Sequence, residues 1–218
     1  DLWMISRTNS TTLEVTKALE ELDLHHASRA IANFVLEDLS RWYVRLVRER
    51  VWVEKDDPRK LAAYVVLYQA MHVLIRLLSP FMPHVSEVIY RDLVKSVSQA
   101  PESVHMLPWP SADESVVNAT LEKGMNVVRG FVEASAAVRQ QAKIKLRWPV
   151  QKAVVQPSTP ELMASLNPLK GLLQDQLNCK ELVLVGPGED ICVRVPKGSA
   201  METEFGKIVI DTEITPEL

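Results

Sequence analysis

One uninterrupted stretch, Phe34 to Trp52, constrains the fold of this chain more than any other. It contains neither proline nor glycine, so all of it can be helical. At about 100° per residue, the apolar residues in and around it fall on one side, as a helix facing a core requires. This predicted core face consists of Ile31, Phe34, Val35, Leu39, Trp42, Leu46 and Val53.

Beside that core face runs a second stripe, which we call the arginine edge. It consists of Arg41, Arg45, Arg48 and Trp52. Guanidinium groups bind phosphates and an indole can stack on an unpaired base, so the stripe is typical of an RNA-binding helix. The alternative is a solvated helix face, in which Glu37 and Glu49 pair with the arginines one turn away. The residues alone leave both interpretations open.

Asp38 lies between Phe34 and Trp42, on the side of the helix predicted to face the core. A buried carboxylate needs a partner, because leaving it unpaired away from water is costly. We expect a structural ion pair with an arginine of its own or a neighbouring helix, such as Arg76, rather than a catalytic role. Trp42 is assigned to the core.

The spacing of apolar residues predicts a mainly α chain. Helices are expected over residues 2–22, 24–53, 58–78, 83–97 and 114–142. The third is apolar nearly all round, which predicts a central helix of a bundle. Residues 99–114 are expected to form an ordered loop across the bundle. The core candidates of the first and fifth helices include Ile5, Leu13, Leu19, Leu22, Leu121, Met125, Val128, Val132 and Val138.

The pattern changes after the fifth helix. Residues 143–149 alternate between polar and apolar, a period of two that is typical of a strand. Further strands are predicted at 153–156, 181–185, 191–195 and 207–210, and a helix interrupted at Asn167–Pro168 is predicted over 159–177. The prediction is therefore a helical bundle at residues 1–145, followed by a small α+β module at residues 146–218.

The distribution of charge is more informative than its sum. A net charge of −3 argues against a protein that coats nucleic acid through general basicity. Residues 134–160, however, contain no acidic residue. The cations of this segment are Arg139, Lys143, Lys145, Arg147 and Lys152. Such a patch can hold a polyanion, or it can be the solvated end of a helix, where cations suit the helix dipole.

We find no catalytic constellation in the sequence. There is no glycine-rich phosphate loop, and the five histidines lack metal-ligand spacing. Cys179 and Cys192 form no CxxC motif and are expected to be reduced thiols. No apolar run reaches about 18 residues, so no membrane span is expected. Because the chain opens without Met inside a helical pattern, we expect it to be part of a longer protein.

Several segments, in a fixed order, resemble one known family. Residues 37–45, Glu-Asp-Leu-Ser-Arg-Trp-Tyr-Val-Arg, resemble the signature helix of the anticodon-binding domain of class I aminoacyl-tRNA synthetases of the isoleucyl/valyl/leucyl group. Residues 1–9, 77–90 and 102–110 resemble other segments of that domain. Residues 138–149 resemble "xRxKxGIKLRxPL", which favours the isoleucyl branch. The alternatives are the same domain from a valyl or leucyl enzyme, or a helical protein-binding scaffold.

The resemblance implies an anticodon-binding bundle followed by a junction module, with the anticodon arm of isoleucine tRNA as partner. Arg41, Arg45 and Arg48 would then meet phosphates or base edges, and Trp52 would stack a base or pack the helix end. The residues implied to hold the RNA backbone are Arg139, Lys143, Lys145 and Arg147.

The resemblance also implies that the catalytic domain of the enzyme lies outside this sequence. The "HIGH" and "KMSKS" motifs of the catalytic domain are absent from the sequence, so we expect no aminoacylation by this fragment and no cofactor within it. ATP and Mg would belong to the catalytic domain of the parent enzyme. The catalytic and editing domains of the same chain would be further partners. A cytoplasmic location without membrane contact is expected.

Overall fold

The computed structural model describes residues 1–52, 58–96, 99–187, 195 and 198–213. The chain divides into two compact units, Asp1–Asn118 and Ala119–Leu218. This division assigns the last long helix of the predicted bundle to the second unit, whereas the sequence places a boundary after residue 145. The sequence-based domain boundary stays a prediction.

The first unit is helical. Its helices are α1 (Leu2–Glu20), α2 (Leu24–Asn33), a π-helical segment (Phe34–Tyr43), α3 (Val44–Trp52), α4 (Pro58–Leu78) and α5 (Pro83–Tyr90), with a shorter π-helical segment at Arg91–Lys95 and 3₁₀ turns at Val104–Met106 and Glu114–Val116. Asp23 caps α2 by accepting a hydrogen bond from the backbone N–H of His26 at 3.0 Å. The predicted long helix therefore runs without a break from Leu24 to Trp52, with a π-helical middle.

The π-helical segment changes which residues face the core. The buried side chains along this helix are Ile31, Phe34, Asp38, Leu39, Trp42, Tyr43 and Val47. A π-turn closes one residue later than an α-turn, so the buried positions beyond the segment move forward by one. Leu46 and Val35, predicted to be core, are only half-buried, and Val53 lies outside the described residues. Tyr43 is buried instead and donates to the Asp1 carboxylate at 2.6 Å.

Helix α1 faces the core with other residues than the sequence predicts. Leu13 and Leu22 are exposed, whereas Ile5 and Leu19 are half-buried. Its buried face consists of Trp3, Met4, Ser6, Thr8, Thr11, Thr12, Val15 and Ala18. Thr8 and Thr12 each donate their hydroxyl to the carbonyl four residues earlier, both at 2.8 Å, which lets small polar side chains be buried. A face of threonines escapes a search for apolar periodicity.

Helix α4 is buried mainly in its second half, although Ala63 and Val66 of the first half are also buried. Ala70, Leu74, Ile75 and Leu77 are buried, but the first half exposes a row of large side chains. That row is Leu61, Tyr64, Val65 and Tyr68. Among the described helices, α4 alone is long and apolar enough to span a membrane. One such helix is weak evidence, because core helices of soluble proteins share this composition.

Residues 99–114 cross the bundle as predicted. The indole N–H of Trp109 donates to Thr16 Oγ1 at 2.9 Å, and the backbone N–H of Asp113 donates to Asn9 Oδ1 at 2.8 Å. Both acceptors lie on α1. The loop is therefore held by side chains of the first helix.

The second unit is an α+β module. It contains α6 (Ala119–Gln141), β1 (Val150–Pro157), α7 (Pro160–Leu166), a 3₁₀ turn (Asn167–Leu169), α8 (Lys170–Leu177), β2 (Cys179–Leu184), β3 (Gly198–Thr203) and β4 (Gly206–Asp211). The strand order is β2-β1-β4-β3, with β1 parallel to β2 and the other pairs antiparallel. The helices between β1 and β2 supply the crossover that a parallel pair needs. Helix α6 contacts α7, α8, β3 and β4.

Most predicted elements of this unit are confirmed. The strands at 153–156, 181–185 and 207–210 and the interrupted helix are present, and Met125, Val128 and Val138 of α6 are buried. The predicted strand at 191–195 lies, apart from Val195, outside the described residues. The prediction for residues 143–149 is wrong: this segment forms turns. Strand β3 was not predicted, since Gly-Ser-Ala-Met-Glu-Thr has little apolar alternation.

Candidate RNA-binding surface

The arginine edge lies on the solvent side of the π-helical segment and α3. All four of its side chains are exposed, and Trp52 is 74% exposed. Next to this edge, Trp42 and Val47 are buried and pack the helix against the core. The helical period therefore places these four residues as predicted, on a surface open to a ligand.

All four residues of the arginine edge make local contacts. Arg41 Nη1 pairs with Glu37 Oε1, as the solvated-face alternative predicts. The guanidinium carbon of Arg45 lies 4.8 Å from the ring centroid of Trp42, and that of Arg48 lies 4.7 Å from that of Trp52. A cation–π contact orients a guanidinium without neutralising it, so positive charge remains at this surface.

An open depression of about 390 Å³ lies along the arginine edge. Arg45, Arg48 and Trp52 line it together with Ser40, Val44, Val47, Val51 and Leu67. An aromatic and aliphatic lining bordered by guanidinium groups can hold a flat base and its phosphate.

Asp38 is buried behind the arginine edge and forms the ion pair that the sequence predicts, but with a different partner. Its side chain is 4% exposed, and Arg7 Nε and Nη2 both lie 3.0 Å from its Oδ2. Arg7 also donates to Ser10 Oγ at 2.9 Å. The suggested partner Arg76 instead donates its Nε–H to the His72 carbonyl at 3.0 Å. The ion pair ties the π-helical segment to α1.

The second cluster of cations lies on the turns between α6 and β1, at residues 143–148, which we call the basic turn. Lys143, Lys145 and Arg147 are exposed there. Lys143 adopts a left-handed backbone conformation, with φ of 58°. Trp148 is 40% exposed, and Lys145 Nζ lies 5.5 Å from the centroid of its ring. Three of the four cations predicted to hold RNA backbone in this segment thus face solvent.

The fourth, Arg139, does not. It is 1% exposed, and its guanidinium donates to the carbonyls of Trp148 at 2.6 Å, Leu177 at 2.7 Å and Asn178 at 3.1 Å. Burial lowers the pKa of Arg139, but an arginine starts so far above neutrality that it stays charged. The prediction that Arg139 contacts RNA is wrong, because the buried face of α6 carries this residue and the protein's own carbonyls occupy it.

Cys179 lies beside this cluster and is half-buried. Burial raises the pKa of its thiol to about 11, outweighing the opposite effect of the Arg139 charge. A thiol with so high a pKa is a poor nucleophile at neutral pH. Cys192 lies outside the described residues. Among the residues that the structure describes, no three His, Cys, Asp or Glu side chains come together as a metal site would require.

Comparison with known proteins decides the family. Residues 1–155 match the anticodon-binding domain of tRNA ligases. The chain belongs to this family of anticodon-binding domains. The matched residues include the arginine edge, α6 and the basic turn, so both cation clusters lie within the domain that defines the family.

Comparison with individual proteins shows which branch of the family the chain resembles. The chain is 47% identical over 190 residues to an isoleucine–tRNA ligase of Methanocella arvoryzae. The aligned residues make up 87% of this chain and 17% of that protein. It is 46% identical over 205 residues to an isoleucine–tRNA ligase of Pyrococcus horikoshii, covering 94% of this chain and 19% of that protein. The chain thus spans less than one fifth of the length of these relatives, and their names favour the isoleucyl branch over the valyl and leucyl alternatives.

Proposed function

We propose that this chain binds the anticodon arm of isoleucine tRNA and serves as a tRNA-binding part of an isoleucine–tRNA ligase. The arginine edge carries the proposal, because it presents three guanidinium groups and an exposed indole along one helix of an anticodon-binding domain. Arg41, Arg45 and Arg48 contact phosphates or base edges, and Trp52 stacks a base.

Contacts on the basic turn add to this binding. Lys143, Lys145 and Arg147 are exposed in a segment without acidic residues and hold the RNA backbone. Each phosphate neutralised by a cation releases counterions, so the affinity should fall as salt rises. The proposed complex forms in the cytoplasm and involves no membrane.

The parent enzyme in this proposal joins isoleucine to its tRNA with ATP and Mg, and the residues present do not fit that chemistry. Neither the "HIGH" nor the "KMSKS" motif occurs in the sequence. His26 of the His25–His26 pair contacts Glu14 Oε1 at 3.0 Å on the exposed surface of α2. We therefore assign no ATP-dependent step to this chain; its role is to bind and orient the anticodon arm for the catalytic and editing domains of the parent enzyme.

Fluorescence anisotropy with a labelled anticodon stem-loop of isoleucine tRNA tests the proposal. The titration is run at two salt concentrations, with the valine tRNA stem-loop as competitor. Arg45→Ala and Arg48→Ala should each weaken binding, and each should reduce the slope of log K against log salt by about 1. Because both side chains are exposed, neither substitution should change the melting temperature measurably.

Arg29→Ala is the matched control, since Arg29 is an exposed arginine on α2 outside the arginine edge. It should leave the affinity and the salt slope unchanged. Absence of binding by the wild-type chain at low salt would favour the protein-binding scaffold. Equal affinity for the valine stem-loop would contradict the isoleucine specificity while leaving RNA binding intact.

A further inference from the structure

Trp148 carries a large apolar ring at the surface of the second unit. It lies on the basic turn rather than in the core and is 40% exposed, while its neighbour Leu146 is 62% exposed. Only Ile144 of this turn is anchored inward, at 7% exposure. Large apolar side chains that remain on a surface frequently mark a binding site.

Hydrogen bonds from side chains outside the basic turn hold its backbone. Arg139 donates to the Trp148 carbonyl at 2.6 Å, and Asn178 Nδ2 donates to the Leu146 carbonyl at 3.1 Å. Within the turn, the Trp148 N–H donates to the Lys145 carbonyl at 3.0 Å. Buried and half-buried polar groups thus fix the backbone that presents the indole, which reduces the entropy lost when a ligand binds.

The charges around Trp148 indicate which ligand this surface suits. Lys145 Nζ lies 5.5 Å from the ring centroid, and exposed Arg147 is adjacent in sequence. Residues 134–160 contain no acid, and Glu181, which lies opposite Lys152 on the neighbouring strand, is paired with it at 3.2 Å. An exposed aromatic ring in a segment with exposed cations is the combination that binds single-stranded nucleic acid, since the ring stacks a base and the cations neutralise its phosphates.

We infer that Trp148 stacks on an unpaired base of the bound RNA, with Lys145 and Arg147 contacting the flanking phosphates. This inference rests on the proposed function and assigns to the basic turn a contact with bases in addition to the backbone. Stacking needs no particular base edge, so Trp148 supplies affinity for unpaired nucleotides rather than sequence specificity.

Trp148→Ala and Trp148→Phe test the inference in the same anisotropy titration. A stacked base is worth about 1–3 kcal/mol, so Trp148→Ala should bind the stem-loop roughly five- to 150-fold more weakly. The salt slope should not change, because no charge is lost. Trp148→Phe keeps an aromatic face and should stay within about threefold of wild type. In contrast to Trp148→Ala, Lys145→Ala removes a charge and should reduce the slope of log K against log salt by about 1.

A blunt-ended RNA duplex with the sequence of the stem is the matched control probe, since it offers phosphates without unpaired bases. Its affinity should be the same for wild type and Trp148→Ala. Binding of the stem-loop should also quench tryptophan fluorescence less in Trp148→Phe than in wild type, a readout that does not depend on the Ala variant folding. Wild-type affinity of Trp148→Ala for the stem-loop, or wild-type quenching in Trp148→Phe, would overturn the inference, whereas no binding by wild type would instead overturn the proposed function.

Discussion

The arginine edge and the basic turn are both exposed cation clusters with an exposed tryptophan, but the protein builds them in different ways. The arginine edge lies on a continuous helix, and the buried charge behind it, Asp38, is neutralised by Arg7 at 3.0 Å. The basic turn lies on irregular backbone, and the buried charge beneath it, Arg139, is surrounded by three backbone carbonyls. One surface is shaped by helix geometry and the other by a side chain.

This difference predicts where each surface is vulnerable. Helical hydrogen bonds hold the arginine edge whether or not a given side chain is present, because they are made by the backbone. The basic turn has no such ladder, and Arg139 joins it to the end of α8 and to Asn178, the residue that follows α8. Replacing Arg139 beneath the turn should therefore lower the free energy of unfolding more than replacing Asp38 behind the helix.

The largest expected effect is that of Arg139→Met. It removes the guanidinium donors of the Trp148 and Leu177 carbonyls, which should lower the free energy of unfolding by about 3 kcal/mol. Urea unfolding followed by circular dichroism measures this loss. Arg147→Met is the matched control on the same turn and should change stability by less than about 0.5 kcal/mol. Similar values for the two variants would show that Arg139 does not support the turn.

The reactivity of Cys179 tests whether the residues beneath the basic turn stay packed. With its pKa raised from 9.0 to about 11, the thiolate fraction near pH 8 is roughly a hundredfold below that of an ordinary thiol. In a Cys192→Ser background, alkylation by iodoacetamide should be correspondingly slow and should reach the ordinary rate in urea. A fast reaction of Cys179 in the folded protein would show that the residues beneath the basic turn are not closely packed.

The same shift has a consequence for stability against pH. Because the unfolded thiol ionises near pH 9 and the folded one near 11, the unfolded state loses its proton first as pH rises. The contribution of Cys179 to stability is thus present below pH 9 and falls between the two values. Cys179→Ala should flatten this part of the pH profile of unfolding.

Asp38→Asn should have the next largest effect. It removes the charge that pairs with Arg7, and since Arg7 is 20% exposed, we expect a loss of about 2 kcal/mol rather than the full cost of a buried unpaired charge. A double-mutant cycle with Arg7→Met measures the coupling by urea unfolding. A coupling energy near zero would mean that helix geometry alone holds the π-helical segment.

Glu37→Gln should produce the smallest effect. Glu37 pairs with Arg41 on the exposed surface, so the substitution should change stability by no more than about 0.5 kcal/mol. Loss of this acid should raise the affinity for the anticodon stem-loop about twofold at low salt, since like charge near the phosphates is removed. Weaker RNA binding would show instead that Glu37 orients Arg41 for contact.

The sequence predicted most of the arrangement around the arginine edge and less of that around the basic turn. A helical period places Arg45 and Arg48 on one face regardless of what the other face contacts. The π-helical segment was not predicted and moved the core from Leu46 to Tyr43 and Val47. No period governs residues 143–149, where local alternation suggested a strand, but hydrogen bonds from Arg139 and Asn178 hold turns.

The sequence by itself determined the helical character of the first unit, most strands of the second, the exposure of the arginine edge and the resemblance to anticodon-binding domains. These follow from short-range periodicity and from motifs in order. Only the tertiary structure decided that Arg7 is the partner of Asp38, that Arg139 is structural and that Trp148 is exposed. A buried charge needs partners that are close in space, and Leu177 and Asn178, which accept from Arg139, are distant from it along the chain.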